Sequence, residues 1–230
     1  MRTVFGIHTS ATDPEDAVWG LLKHCASIKI ITSFKDTNNI FRMRELAHPN
    51  TVFLGRYIDY DIEQGELHRR FAAIDDNDVN NAYALGVWYA NVLASLVFSH
   101  NLAWMYWESG PNEHNIVTPK IIAYMEGFID QCLKLGIMPA VGGYSYGRPK
   151  TPPYDSVDEW EQWKPVFVKI DAANKDANGK YLAKPRAILY LHEGAQQNGM
   201  MGSIPTTVAR YRLFYERHIK PYELWFPLRS

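Results

Sequence analysis

The stretch Val4-Phe5-Gly6-Ile7-His8-Thr9-Ser10-Ala11-Thr12-Asp13-Pro14 decides the reading of the fold. Residues 4–8 read as a short buried strand. Asp13 reads as a helix N-cap, with Pro14 at the first helical position, where a missing N–H costs nothing. A strand that runs straight into a helix leaves two architectures, a (β/α) barrel and an open doubly wound sheet. The turn between them separates the two. A nucleotide-binding open sheet places a Gly-rich phosphate loop there. Residues 9–13 hold no glycine, and no phosphate-loop pattern occurs elsewhere in the chain. The barrel is the favoured reading.

Working outward, strand and helix alternate six times. Apolar, β-favouring runs predict further strands at 29–34, 51–58, 102–107, 137–141 and 187–191. Val18, Leu21, Leu22, Cys25 and Ile28 recur at three- and four-residue spacing and predict the first helix. A second covers 39–46, ended by His48-Pro49-Asn50. A third starts after Asp75-Asp76-Asn77-Asp78 and carries Leu85, Trp88, Val92 and Leu96 along one side. That acidic cluster is a helix start rather than a calcium loop, since it lacks the mid-loop Gly and terminal Glu. Thr118-Pro119 opens a fourth helix with the stripe Ile121, Met125, Phe128, Cys132 and Leu135, closed by Gly136. Ser156 and Glu159 form a capping box ahead of Trp160, Trp163, Phe167 and Ile170, and a sixth helix covers 206–219. Strands in such a pattern pair in parallel through right-handed crossovers. With no linker, low-complexity tract or repeat, residues 1–230 read as one α/β domain: a (β/α) TIM-like barrel of six βα units. Leu224-Trp225-Phe226-Pro227-Leu228 is the remnant of a seventh strand, so the barrel reads as incomplete.

Composition narrows the partners. A formal net charge of −1 argues against a nucleic-acid binder, which needs a basic excess to neutralise phosphates. Residues 79–107 contain no Asp, Glu, Lys or Arg, which raises the question of a membrane span. Asn80, Asn81, Asn91, Ser95, Ser99, His100 and Asn101 argue against one, and the stretch divides into a buried helix and a buried strand. Cys25 and Cys132 both fall on apolar helix stripes and read as buried thiols. The N-terminus lacks the features of a signal peptide, giving a cytoplasmic expectation. No cofactor is implied.

In a barrel the active site lies at the C-terminal ends of the strands. The first strand delivers His8 there and the second Ser33 and Lys35. The third delivers Arg56, Tyr57 and Asp59, and the fourth Trp107, Glu108, Asn112, Glu113 and His114. The fifth delivers Tyr144 and Tyr146, and the sixth His192 and Glu193. Carboxyl groups, aromatic rings and hydrogen-bonding groups thus converge on one mouth. Hydrolysis of a glycosidic bond needs such a set: an acid for the leaving oxygen, a second carboxylate, and flat rings for the sugar. His8, His192 and Glu113 show no ligand pair on one element, so no metal is expected.

The sequence Trp107-Glu108-Ser109-Gly110-Pro111-Asn112-Glu113-His114-Asn115 resembles the strand-four signature of the clan A (β/α)8 retaining glycoside hydrolases. The resemblance implies Glu113 as general acid/base and Asn112 as the neighbour that binds the sugar 2-hydroxyl. Trp107, at the strand end, reads as a sugar platform rather than a core residue. Tyr190-Leu191-His192-Glu193-Gly194-Ala195, followed by Arg210-Tyr211-Arg212, is similar to the sixth-strand region of that superfamily. It would place His192 and Glu193 on the substrate-facing rim, beside Arg56, His8, Tyr144 and Tyr146. The expected function is action on a β-linked oligo- or polysaccharide. The nucleophilic Glu of this superfamily ends the seventh strand, and no carboxylate follows residues 224–228 here. Three expectations follow: a truncated member, a member in which Glu193 serves as second carboxylate, or a non-catalytic carbohydrate-binding or structural barrel. An incomplete barrel also leaves two sheet edges, for which a second copy of the chain or closure by residues 222–230 is expected.

Overall fold

The computed structural model describes residues 6–12, 14, 16–59, 61–110, 117–142, 157–190 and 228–229. Strands β1 (Gly6–Ser10), β2 (Ser27–Thr32), β3 (Val52–Tyr57), β4 (Tyr106–Glu108), β5 (Met138–Gly142), β6 (Ile188–Tyr190) and β7 (Leu228–Arg229) form one sheet. Every neighbouring pair is parallel, and the order in space is the order in sequence. A doubly wound sheet reverses its strand order partway across. No reversal occurs among the described strands, so the sheet is singly wound, and the helices pack on one of its faces. Among the described residues β7 does not pair with β1.

The helices between strands are α1 (Asp16–Leu21), α2 (Asn38–Leu46), α3 (His68–Ala73), α4 (Val79–Ser99), α5 (Pro119–Leu135) and α6 (Lys164–Ala173). Their ends follow local chemistry. The Asp78 side chain accepts from Asn81 N at 3.1 Å and starts α4. Pro119 occupies the first turn of α5, and Gly136, at φ 79°, closes it in the left-handed region. Asp158 accepts from Trp160 N and starts the 3-10 turn Glu159–Trp163 that leads into α6. Ser156 and residues 206–219 lie outside the described residues.

Two local readings are corrected. The fourth strand was expected over 102–107, but β4 begins at Tyr106. Asn101 has φ 57°, Leu102 N donates to Val97 O and Met105 N to Leu102 O, so 101–105 unwind the end of α4 instead. Between β3 and α4 lie a π-helical turn (Ile62–Leu67) and α3, neither expected from the sequence. Their few inward groups, Leu67 and Phe71, are four residues apart and give too short a stripe to read.

Strand alternation sends side chains to two different environments. Ile28, Ile30, Phe53, Tyr57, Trp107, Val141 and Leu189 join the large core under the helices. Leu54, Tyr106, Ala140, Ile188 and Tyr190 form a smaller apolar cluster on the opposite face. The helix α4 is long and apolar enough to cross a membrane by length and composition alone. In this fold it lies along α5, with Leu85, Tyr89, Leu93 and Val97 in the large core. The approach is close: a Cβ on Gly86 would sit 2.1 Å from Tyr124 O, and one on Gly127 2.2 Å from Tyr83 O.

Candidate functional site

The smaller face carries the charge. Lys29 on β2, Arg56 on β3, Glu108 on β4 and Tyr190 on β6 all point to it, because each keeps the parity of Leu54, Tyr106 and Ile188. Lys29 Nζ lies 2.6 Å from Glu108 Oε1 and donates to Tyr190 OH at 2.8 Å. Arg56 Nε lies 3.9 Å from Glu108 Oε2. Glu108 is 2% exposed and Lys29 6%. Buried charges persist only when paired and hydrogen-bonded, and here four strands contribute to one such cluster. Burial and the Glu108 carboxylate push the Tyr190 phenol up, and Arg56 partly offsets this. Tyr190 therefore stays protonated across the physiological range, able both to accept from Lys29 and to donate.

This cluster sits at the C-terminal end of β4, where the chain leaves the sheet. Ser109 N donates to Ala140 O at 3.1 Å, and the Tyr124 hydroxyl of α5 donates to Ser109 O. Gly110 follows with φ 78°, and a Cβ there would meet Leu67 Cδ2 at 2.5 Å. Only glycine meets both conditions. The same device ends β5, where Gly142 has φ 113° and a Cβ would meet Tyr190 O at 2.4 Å. Two glycine exits thus release the chain into 111–116 and 143–150, the segments that contain Asn112, Glu113, Tyr144 and Tyr146.

Of the nine residues given a site role from sequence, three are described: Arg56, His8 and Trp107. Arg56 stands in the ionic cluster. His8 pairs in register with Lys29 and shares its face at the β1 edge, exposed to solvent. Trp107 is corrected: it is fully buried on the helix side, stacks on Phe34 with ring centroids 5.2 Å apart, and donates its indole N–H to Leu102 O. Its ring packs over Gly55, whose Cβ would come within 2.6 Å of it. No ring face is left for a sugar, and Trp107 is a core residue. Asn112, Glu113, Tyr144, Tyr146, His192 and Glu193 lie outside the described residues.

The sequence reading placed Glu108 at the fourth strand end without choosing it, and passed over Lys29 and Tyr190. The signal was there in Ile28-Lys29-Ile30-Ile31: a lysine inside an apolar strand core requires a carboxylate across the sheet. As a carboxylate bridging two cations, Glu108 is an anchor that ties β2, β3 and β4 together. Among the described residues no group of three or more His, Cys, Asp or Glu could hold a metal. Burial pushes up the thiols of Cys132 and Cys25, the opposite of the depression that activates a cysteine nucleophile.

No family model and no curated protein matches the chain. Two solved structures resemble it in part. One is a glycoside hydrolase family 18 N-acetylglucosaminidase from Paenibacillus barengoltzii, at TM-score 0.43 and 8% identity over 84% of this chain and 53% of that one. The other is an endo-beta-N-acetylglucosaminidase from Cordyceps militaris, at TM-score 0.40 and 11% identity over 93% of this chain and 76% of that one. The chain spans about half the length of the former. Likenesses at this level carry no weight for activity.

Proposed function

We propose that the chain is a glycoside-hydrolase-like (β/α) barrel protein acting on a β-linked oligo- or polysaccharide, with Glu113 as general acid/base. The observation that carries this reading is the buried Lys29–Glu108–Arg56 cluster at the C-terminal end of β4 in a singly wound parallel sheet. Such sheets keep their chemistry at the C-terminal ends of the strands. Glu113 follows Glu108 by five residues, a contour of at most about 18 Å, which keeps it within reach of an anchored strand end. In this reading Glu193 bonds to the anomeric carbon as Glu113 protonates the departing glycosidic oxygen, and Glu113 then takes a proton from the water that displaces Glu193. Asn112 binds the sugar 2-hydroxyl. Tyr144, Tyr146, His192, His8 and Arg56 line the substrate side, and Glu193 is the second carboxylate.

Kinetics of wild type and Glu113→Gln on a panel of aryl β-glycosides test the assignment. Loss of an acid/base group lowers kcat/KM by roughly 10²–10⁴-fold. Equal turnover in both proteins removes Glu113 from the mechanism. Absence of turnover in wild type, with saturable sugar binding by calorimetry, makes the protein a non-catalytic carbohydrate-binding barrel. Absence of both turnover and binding overturns the reading.

A further inference from the structure

At the end of the sheet opposite Glu108, a cavity of about 680 Å³ opens between the start of β3, the turn before β4 and the segment before β6. Arg44, His48 and Lys184 line it, and no acidic residue does among the described residues. The chain as a whole has a formal net charge of −1 with histidine neutral, so two cations and a histidine without a carboxylate are a local feature. Arg44, in the last turn of α2, lays its guanidinium over the Trp104 ring with Cζ 4.2 Å from the centroid. Stacking fixes the guanidinium plane and leaves its N–H groups around the rim. Among the described residues Lys184 Nζ reaches only Trp104 O, at 3.4 Å, a long single bond for a group with three donors. His48 Nδ1 accepts from Asn50 N at 3.2 Å, which leaves Nε2 as a donor.

The walls are fixed before any ligand arrives. Tyr106 OH donates to Pro185 O at 2.6 Å and pins the segment before β6 to β4. The fully buried Asn174 accepts from Arg186 N and Ala187 N at 2.7 and 3.0 Å, holding the same segment from behind. The volume falls among pockets for small organic ligands, about 300–1,000 Å³, and far exceeds one bare oxyanion. None of Lys29, Arg56, Glu108 and Tyr190 lines the cavity, and Arg56 stands four residues along β3 from the lining residue Val52, roughly 13 Å away.

We infer that this cavity binds a small organic anion, a molecule of sugar or nucleoside size whose phosphate or carboxylate is held by Arg44 and Lys184. Charge-assisted bonds to a guanidinium and an ammonium are the strong donors such a group requires. The inference stands apart from the glycosidic reading and survives its failure.

Calorimetric titration of the full chain with inorganic phosphate, glucose 6-phosphate and glucuronate, at one ionic strength set with sodium chloride, tests it. Lys184→Gln and Arg44→Gln are the variants. Both side chains are exposed, so folding is retained, and circular dichroism checks this. Saturable binding of glucose 6-phosphate or glucuronate, weakened about tenfold or more in each variant, supports the site, and the tighter of the two probes names the oxyanion. Binding by none of the probes, binding of inorganic phosphate alone, or affinity unchanged in the variants overturns it.

Discussion

Replacing Lys29 with Met removes one partner of a buried ion pair while keeping the length of the side chain. Glu108, 2% exposed, then keeps Arg56 at 3.9 Å as the remaining described cation and loses the ammonium at 2.6 Å. Breaking a buried pair on one side costs about 3–5 kcal/mol. The residual Arg56 contact puts Lys29→Met near the lower end, about 3 kcal/mol, which is roughly two orders of magnitude in the folding equilibrium. That is a large share of the ~5–15 kcal/mol available to a typical domain. Urea unfolding of wild type, Lys29→Met, Glu108→Gln and the double variant reads both the cost and the coupling. Residues in direct contact couple by about 0.5–3 kcal/mol, so the double variant should be less damaged than the sum of the singles. Burial also shields the pair from screening, so the cost should persist in 1 M salt, where an exposed pair such as Arg70–Glu66 contributes little. A cost under ~1 kcal/mol, or single effects that simply add, refutes the anchoring role.

Gly86→Ala should destabilise the protein by about 1–3 kcal/mol, because its Cβ would meet the Tyr124 carbonyl at 2.1 Å and backbone cannot swing aside. Gly20→Ala in α1, where no atom lies within 4 Å, should instead gain up to ~1 kcal/mol of helix propensity. Thermal unfolding separates the signs, at about 2–4 °C per kcal/mol for a chain of this size. Stability should also fall with alkali. Burial raises the Cys132 thiol in the folded state, so above about pH 8.5 the unfolded chain releases a proton that the native state retains. The slope from that group approaches about 1.4 kcal/mol per pH unit. Cys132→Ala should flatten the profile above pH 9, and an unchanged slope would exclude this origin.

The sequence made the element order readable because the chain punctuates itself. Asp78, Pro119 and Gly136 act in the structure as their chemistry requires. The singly wound order follows from the alternation together with the Gly-free turn at 9–13. What could not be read was which face of each strand would be which. In Ile28-Lys29-Ile30-Ile31 or Ile188-Leu189-Tyr190 both faces are apolar, as in sheets covered on both sides. Alternation then no longer marks inside and outside. Trp107 shows the consequence. A Trp at a strand end can stack on a sugar or on a neighbour, and only the space over Gly55 and the Phe34 ring, itself held at φ 63°, decides for the core. Lys29 and Glu108 are 79 residues apart in sequence, so their pairing is a property of register across β2, β3 and β4 and of nothing local.

That register bears on the proposed chemistry. A carboxyl carried on a loop can act as an acid only if its base holds still to a fraction of an ångström. Three independent contacts fix the exit of β4: the Glu108 carboxylate on Lys29, the Ser109 N–H on Ala140 O, and the Tyr124 hydroxyl on Ser109 O. They come from β2, β5 and α5, so no single neighbour can shift the exit alone. Gly110 then turns the chain within one residue, in a space that closes on any Cβ. In the proposed reading Glu108 acts through rigidity, which makes a sharp expectation for Glu108→Gln. If Glu113 performs the chemistry, this substitution should lower kcat with the pH profile of the acid/base group retained. If the pH profile itself is lost, Glu108 is the titrating group, and the assignment at the end of β4 moves five residues back.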